Sequence, residues 1–548
     1  MASTDNSVSN HYDIIIVGAG SAGCVLANRL SADPECRVLL VEAGGNDNWH
    51  WFHIPLGYLF AMGNPRADWC YSLEPQPGLN GRALPYPRGK VLGGCSAING
   101  MIYIRGQRQD YDSWQLPGWS WQDVLPRFKK SENYFRGANE FHGGSGELRV
   151  EQQRLRWAVL DHWQNACIEY GIPEAADFNS GDNEGVGLFD VNQIKGVRCS
   201  AKRAFLNPVK GRKNLSILTG AIVDRITWEN GRASGIEVIL GNQRQQINTS
   251  GQVILSAGAV SSPCILQRSG IGGESQLRAA NIPCRHKLDG VGGNLQDHLQ
   301  IRVQLRVNNA RTRTLNCLSR SWQGRARMGL EYLLTRSGPL AMAPSQLGAF
   351  FKSESTLERP DLEYHVQPMS AEKLGTKLHP FPGITASVCN LRPTSRGRVD
   401  IRSANPLEAP RIDPRYLRTE EDRRSAARAI EITREIARQP AAQALNPVEI
   451  KPGAELTTAD ELGRAAGDIA TTIFHPSCTC KMGSDADPLA VTDSGLKVRG
   501  FDNLYIADAS VMPTITSGNT HAPVVMIAET LAERLGNQAQ SWTKPLQK

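Results

Sequence analysis

The chain has 548 residues, 40% of them hydrophobic and 21% charged. That length exceeds what one hydrophobic core serves, and that balance excludes intrinsic disorder, coiled coil and collagen. Lysine plus arginine outnumber aspartate plus glutamate by 61 to 54, a surplus too dilute to indicate a nucleic-acid partner.

The 12 cysteines are scattered without a C-x-x-C pair, Cys478 and Cys480 being the nearest to one another. This spacing argues against a zinc framework or a secreted disulfide scaffold and for reduced thiols in a cytoplasmic setting. No H-E-x-x-H or clustered ligand set appears, so no metal is expected. The apolar stretch from Ile14 to Ala27 is broken by glycines and preceded by no basic residue except His11, which fits a signal peptide poorly. No run of about 18 apolar residues is present to span a bilayer.

Tyr12 to Val17, the segment after Gly18, and Arg37 to Glu42 predict strand, helix and strand in succession. Within this unit Gly18-Ala19-Gly20-Ser21-Ala22-Gly23 is G-x-G-x-x-G placed directly after a strand and before a helix. The first glycine permits the turn, the second lets pyrophosphate approach the backbone, and the third lets helix and strand pack closely. The helix N-terminus then favours the anion. Glu42 closes the second strand 19 residues after Gly23, where a carboxylate can accept from a ribose 2′-OH and repel a 2′-phosphate. The motif points to NAD or FAD rather than NADP.

Further strands are predicted at Gln252 to Leu255 and Leu504 to Ala507, so the first unit returns twice. Between the returns, Leu362 to Val366 reads as a strand. Thr419 and Asp422 start a helix with Ile430, Thr433, Ile436 and Ala437 on one face and Pro440 at its end. Arg311, Arg313, Arg320, Arg325, Arg327 and Arg336 are interrupted only by Glu331 and accompanied by Trp322, Leu330, Leu333 and Leu334. This segment is a solvated helix face, a lid over a pocket, or a basic amphipathic surface for the inner face of a membrane.

Arg88 to Gly100 (RGKVLGGCSAING) with Tyr103 to Gly106 resembles the first signature of the glucose-methanol-choline (GMC) flavoprotein oxidoreductases, and Gly258 to Gly272 resembles the second. Val291 to His298 (VGGNLQDH), Ser395 to Gly397, Pro410 to Leu417, His475 to Gly483 (HPSCTCKMG) and Asp508 to Pro523 continue the resemblance in order over nearly the whole chain. It implies α/β and α+β architecture: a Rossmann-like FAD-binding domain, formed by 1–155, 196–301 and 453–548, interleaved with a smaller sheet-plus-helix substrate-binding domain formed by 156–195 and 302–452.

The family's cofactor is FAD. By resemblance Gly18, Gly20, Ser21, Ala22, Glu42 and Ala43 hold its ADP half, and Val223 lies beside the adenine. Gly94, Cys95 and Asn99 pass along the flavin, and Arg88, Val91, Gly100, Met101, Ile102, Ala257 and Gly258 also bind the cofactor. Asp508 and Ala509 meet the pyrophosphate region. His521, Ala522 and Pro523 lead into a helix from Pro523 through Leu535 whose positive end faces the flavin. Some members carry a histidine that bonds covalently to the flavin where Ile98 stands here, so non-covalent FAD is expected.

Oxidising an alcohol requires a base for the hydroxyl proton, while the flavin takes the hydride. By resemblance His475 is that base, and His521 occupies the second catalytic position, filled by histidine in some branches and asparagine in others. His298 and His142 are expected to be structural. Two departures stand out: Cys478 replaces a usual glycine, and Gln300 replaces the acid with which choline-oxidising relatives pair the trimethylammonium. Leu340, Met342, Pro344 and Leu347 suggest an apolar wall. The expectation is therefore a dehydrogenase (EC 1.1.-.-) acting on an uncharged aliphatic or aryl primary alcohol, with a quinone, another electron carrier or oxygen as acceptor. The alternatives are a choline dehydrogenase, an oxygen-using alcohol oxidase, a lyase or decarboxylase on the same fold, and a flavin-binding module without turnover.

Overall fold

The computed structural model describes residues 11–309, 312–373 and 376–542. Arg311 and the outer ends of the expected first unit, 1–10 and 543–548, lie outside the described residues.

The first predicted strand forms His11–Val17 and the second Val38–Glu42. Parallel pairing joins Leu215–Thr219, Val38–Glu42, His11–Val17 and the carboxyl half of Gln243–Leu255, and Leu504–Ile506 adds beside that half. Every residue of Val38–Glu42 is buried, as a parallel strand covered on both faces requires. The helix Ser21–Leu30 packs on the terminal helix His521–Trp542, and Arg29 fastens the two through Glu529 at 2.7 Å.

The strand expected at 252–255 extends back to Gln243. Its added half pairs antiparallel with Arg232–Leu240, which in turn pairs with Ala221–Glu229. Residues 243–246 are exposed and polar and 247–250 alternate buried with exposed, so an apolar run marks only the end of this strand. The terminal helix begins at His521, two residues before the expected Pro523. Proline is tolerated in a first turn because its missing N–H would have no partner there.

A second, antiparallel sheet runs in the order Pro447–Lys451, Leu299–Val307, Gly383–Asn390, Leu362–Gln367, Leu347–Phe351, Gly185–Leu188. Leu299–Val307 crosses the expected boundary at 301, and Ala470–Thr472, expected with the first unit, bonds to the start of that strand. The helix Glu420–Ala437 begins as expected, with the Thr419 hydroxyl accepting from the Asp422 N–H at 3.2 Å. Leu299, Ile301, Val303 and Leu305 join Ile430 and Ile436 of this helix in one core. Gln300, Arg302 and Gln304 alternate with them and turn to the opposite face, which roofs the cavity described next.

Candidate active site

One cavity, with about 2220 Å³ of empty space including its mouth, is walled by segments of both sheets. Gly18, Gly20, Ser21, Ala22, Glu42, Ala43, Val223, Ala257, Gly258, Asp508 and Ala509 line it. So do Arg88, Gly94, Cys95, Asn99, Gly100, Met101, Ile102, His475 and His521. Three expected cofactor residues do not. Val91, Ala522 and Pro523 are buried in the packing behind the wall, because neighbouring positions on a turn or helix point in different directions.

The glycine loop is as tight as its motif requires. A Cβ at Gly23 would lie 1.9 Å from the Gly18 carbonyl oxygen, and one at Gly94, whose φ is +52°, would lie 2.7 Å from the Gly20 Cα. The Glu42 carboxylate accepts from the Ala19 N–H at 2.9 Å and the Gly44 N–H at 2.8 Å. Burial pushes its pKa up to about 7 against those two donors. Asp508 accepts from the Gly258 N–H at 2.9 Å and the Ser262 hydroxyl at 2.6 Å, so it fastens the loop after Leu255 to the one after Ile506.

Ser256 Oγ, His521 Nε2, Asn519 Oδ1 and Tyr58 OH are buried without a hydrogen-bond partner, and all four residues line the cavity. Buried polar atoms left so call for a polar ligand. A dinucleotide, running from the glycine loop and Glu42 past Gly94 to His475, fits this distribution. Ile98, where covalent relatives have histidine, also lines the cavity.

At His475 the main-chain N–H donates to Asp297 Oδ1 at 2.8 Å. Asp297 Oδ2 accepts from the hydroxyls of Tyr86 at 2.8 Å and Thr472 at 2.7 Å, and from Tyr416. One buried carboxylate thus holds the histidine loop to three other segments. The ring's Nδ1 lies 3.1 Å from His298 Nδ1, and His298 Nε2 lies 3.3 Å from the Leu391 carbonyl oxygen. A carbonyl can only accept, so His298 Nε2 carries a proton. Neutral His298 then has a bare Nδ1, His475 Nδ1 must carry the proton shared with it, and His475 Nε2 keeps its lone pair as an acceptor. Burial lowers the pKa of both rings, and the neighbouring His298 adds to the effect at His475, which keeps both neutral. Asn519 Nδ2 lies 3.1 Å from His475 Nε2 and donates to it.

His521 lines the cavity with its Nε2 buried and without a partner, and a residue outside the expectation, Asn519, contacts His475 directly. Among the described residues His521 hydrogen-bonds to Ser21 of the glycine loop, Nδ1 to Oγ at 2.9 Å, and the partner of His475 is Asn519. The helix starts at His521, which leaves Asn519 outside it, with its side chain free to turn toward His475. The one sequence signal for Asn519 was its place in the Gly518 to Pro523 stretch. His298, expected to be structural, is the acceptor for the proton on His475 Nδ1. His142 is structural as expected, its Nδ1 3.0 Å from Glu132 and its Nε2 3.1 Å from Asp177.

The apolar wall is corrected. Of Leu340, Met342, Pro344 and Leu347 only Pro344 lines the cavity. Met342 and Leu347 are buried in the second core, and Leu340 packs against it. The roof shows Gln300, Ser345, His365 and Gln367 instead. Cys478 is fully buried with φ +73°, a left-handed conformation that explains why glycine is usual there.

The GMC oxidoreductase family models match residues 12–300 (N-terminal) and 393–528 (C-terminal). An "Alcohol dehydrogenase [acceptor]" of Pseudomonas putida is 42% identical over 529 residues, covering 95% of each chain. An "Oxygen-dependent choline dehydrogenase" of Vibrio vulnificus is 40% identical, covering 96% of this chain and 94% of its own. The crystal structure of pyridoxine 4-oxidase from Mesorbium loti superposes with a TM-score of 0.86 at 32% identity, covering 96% of this chain and 99% of that one.

Proposed function

Because this chain belongs to the GMC oxidoreductase family, we propose that it oxidises a primary alcohol to the aldehyde, with His475 Nε2 taking the hydroxyl proton. The observation that carries this reading is the hydrogen-bond chain from Leu391 through His298 to His475, which leaves a lone pair on the cavity-lining ring. FAD, when bound, supplies the hydride acceptor. Asn519 orients the base, and His521, its Nδ1 held by Ser21 and its Nε2 unpartnered in the cavity, orients the alcohol oxygen. Non-covalent attachment is proposed from Ile98. Purified protein should be yellow and release its flavin on denaturation. It should bleach anaerobically with a primary alcohol; an alcohol panel that never bleaches it refutes the proposal.

Choline is disfavoured: Gln300 supplies no charge for a quaternary ammonium, although relatives carry choline dehydrogenase names. The uncharged aliphatic or aryl alcohol loses the support of the apolar wall.

A dehydrogenase passing electrons to a membrane quinone is favoured over an oxidase by the helix Trp322–Thr335. Met328 and Tyr332 are its buried side chains, whereas Trp322, Leu330, Leu333 and Leu334 are 69%, 58%, 70% and 75% exposed. At about 100° per residue the four share an arc opposite the buried pair. Arg320, Arg325, Arg327 and Arg336 around them are exposed, the pattern of a helix lying on an anionic lipid surface. No helix of the described residues is long and apolar enough to cross a membrane. Sedimentation with anionic vesicles, abolished by Leu333→Glu with Leu334→Glu, tests this contact; equal sedimentation of the double variant refutes it.

A further inference from the structure

We propose that Asp110 is a positioning residue: by gripping Ser517 it fixes the loop that brings Asn519 to the base. The inference rests on the reading of His475 as that base and deepens it.

Residues 512–520 form neither helix nor strand, so side-chain contacts must set where Asn519 stands. Asn294 Nδ2 donates to the Pro513 carbonyl at 3.2 Å, Trp114 Nε1 to the Thr514 hydroxyl at 3.1 Å, and the Ile515 N–H to Gln296 Oε1 at 3.3 Å. The last anchor before Asn519 is Ser517, whose N–H donates to Asp110 Oδ2 at 2.7 Å and whose hydroxyl donates to Oδ1 at 2.9 Å. These two bonds are the shortest on the loop. His521 is held separately, by Ser21 and by the helix it begins.

Asp110 is itself fixed. It lies in the short helix Arg108–Asp112, where its Oδ2 also accepts from the Gln107 N–H at 2.8 Å, and its Oδ1 accepts from Arg359 Nη1 at 3.0 Å. Two donors thus meet each oxygen, filling the carboxylate's capacity, and the residue is 3% exposed. Close backbone approach makes this reach possible. A Cβ at Gly106, whose φ is +91°, would lie 2.8 Å from Asp110 Oδ2, and one at Gly518, whose φ is +129°, would lie 2.4 Å from Ile104 Cγ2. An aspartate that only capped its helix would serve as well at the surface. Burying the carboxylate carries a desolvation cost that the Ser517 and Arg359 donors offset, so its placement is explained by the loop it holds. Neither Asp110 nor Ser517 lines the cavity; Asp110 acts on the reaction through Asn519.

The test is a double-mutant cycle on the holoenzyme, read by anaerobic flavin reduction with saturating primary alcohol. Displacing a positioned group by about 1 Å costs up to about a hundredfold. Asp110→Ala should therefore slow reduction about 10- to 100-fold, in the rate rather than in KM, with flavin content unchanged. Asp110→Asn, whose Oδ1 can take both N–H groups while its Nδ2 donates to the Ser517 hydroxyl, should recover most of the rate. With Asn519→Ala already present, Asp110→Ala should cost less than about twofold, whereas with His521→Ala present it should cost its full factor. A full additional loss in the Asn519→Ala background, as a general loosening of the fold would give, overturns the proposal. If Asp110→Ala does not fold, Ser517→Ala, which removes one of the two contacts, decides: it should give a smaller loss with the same dependence on Asn519. By donating to Nε2 the Asn519 amide favours the neutral form of His475, so its displacement should raise the His475 pKa in Asp110→Ala and Asn519→Ala alike, followed by histidine nitrogen-15 resonances. That measurement needs no turnover. If no alcohol bleaches the native protein, the oxidation reading falls and the resonances still decide: a pKa raised by Asn519→Ala but unmoved by Asp110→Ala overturns the positioning claim.

Discussion

Replacing His298 by leucine removes the acceptor for the proton on His475 Nδ1, which now lies 3.1 Å from His298 Nδ1. Both rings are buried, so water does not replace the lost partner. An unsatisfied buried N–H costs about 1–3 kcal/mol, and the imidazole escapes that cost by moving its proton to Nε2, where the base must have its lone pair. At about 1.4 kcal/mol per decade the active tautomer falls by roughly 5- to 150-fold. Anaerobic stopped-flow reduction of the flavin by saturating alcohol should slow by that factor while the bound flavin per chain is unchanged. His298→Gln, whose Oε1 can accept the same proton, should restore a large part of the rate. Reduction by the leucine variant at the native rate, or a glutamine variant as slow as the leucine one, would refute the tautomer argument.

The pH dependence has a definite sign. His475 and His298 are held below the ordinary histidine pKa by burial, so the base stays neutral below pH 6.5 and kcat/KM should fall only beneath that value; an acid limb centred above pH 7 would contradict this. The same groups, with His521 lowered to about 4 by burial, bind fewer protons folded than unfolded, so stability should be lost as pH falls from 6.5 toward about 4, measurable as a falling Tm. Glu42→Ala removes the acceptor of two loop N–H groups and the expected ribose partner, and should weaken FAD binding about 10- to 100-fold, giving largely colourless protein; full flavin content would count against the assignment. Burial pushes the Cys478 thiol up to about 12, so a thiol reagent at pH 8 should label exposed Cys70 and Cys284 and leave Cys478 untouched until the protein unfolds.

What the sequence discloses tracks how local the physical requirement is. The glycine loop and Glu42 were legible because a backbone turn, a close contact and a strand-end acid follow from adjacent residues. The helix Glu420–Ala437 was legible from its cap and its stripe. Asn519 and His521 stand two residues apart, and which of them reaches His475 depends on where the helix starts, which Pro523 alone does not decide. The apolar wall failed because Met342 and Leu347 belong to extended segments whose facing depends on register. The Asp110–Ser517 contact joins segments 407 positions apart. Likewise the histidine pair is separated by 177 positions, and only the fold brings the two rings together.

The most direct test of the central claim is anaerobic flavin reduction in His475→Ala beside the native protein, both loaded with FAD to the same extent and mixed with the same primary alcohol across a range of pH. Proton removal by His475 predicts that the variant loses the reaction by at least about a hundredfold and that its residual rate rises with hydroxide rather than levelling off as the native rate does. Bleaching of the variant at the native rate, with the native pH profile, would show that the proton leaves by another route.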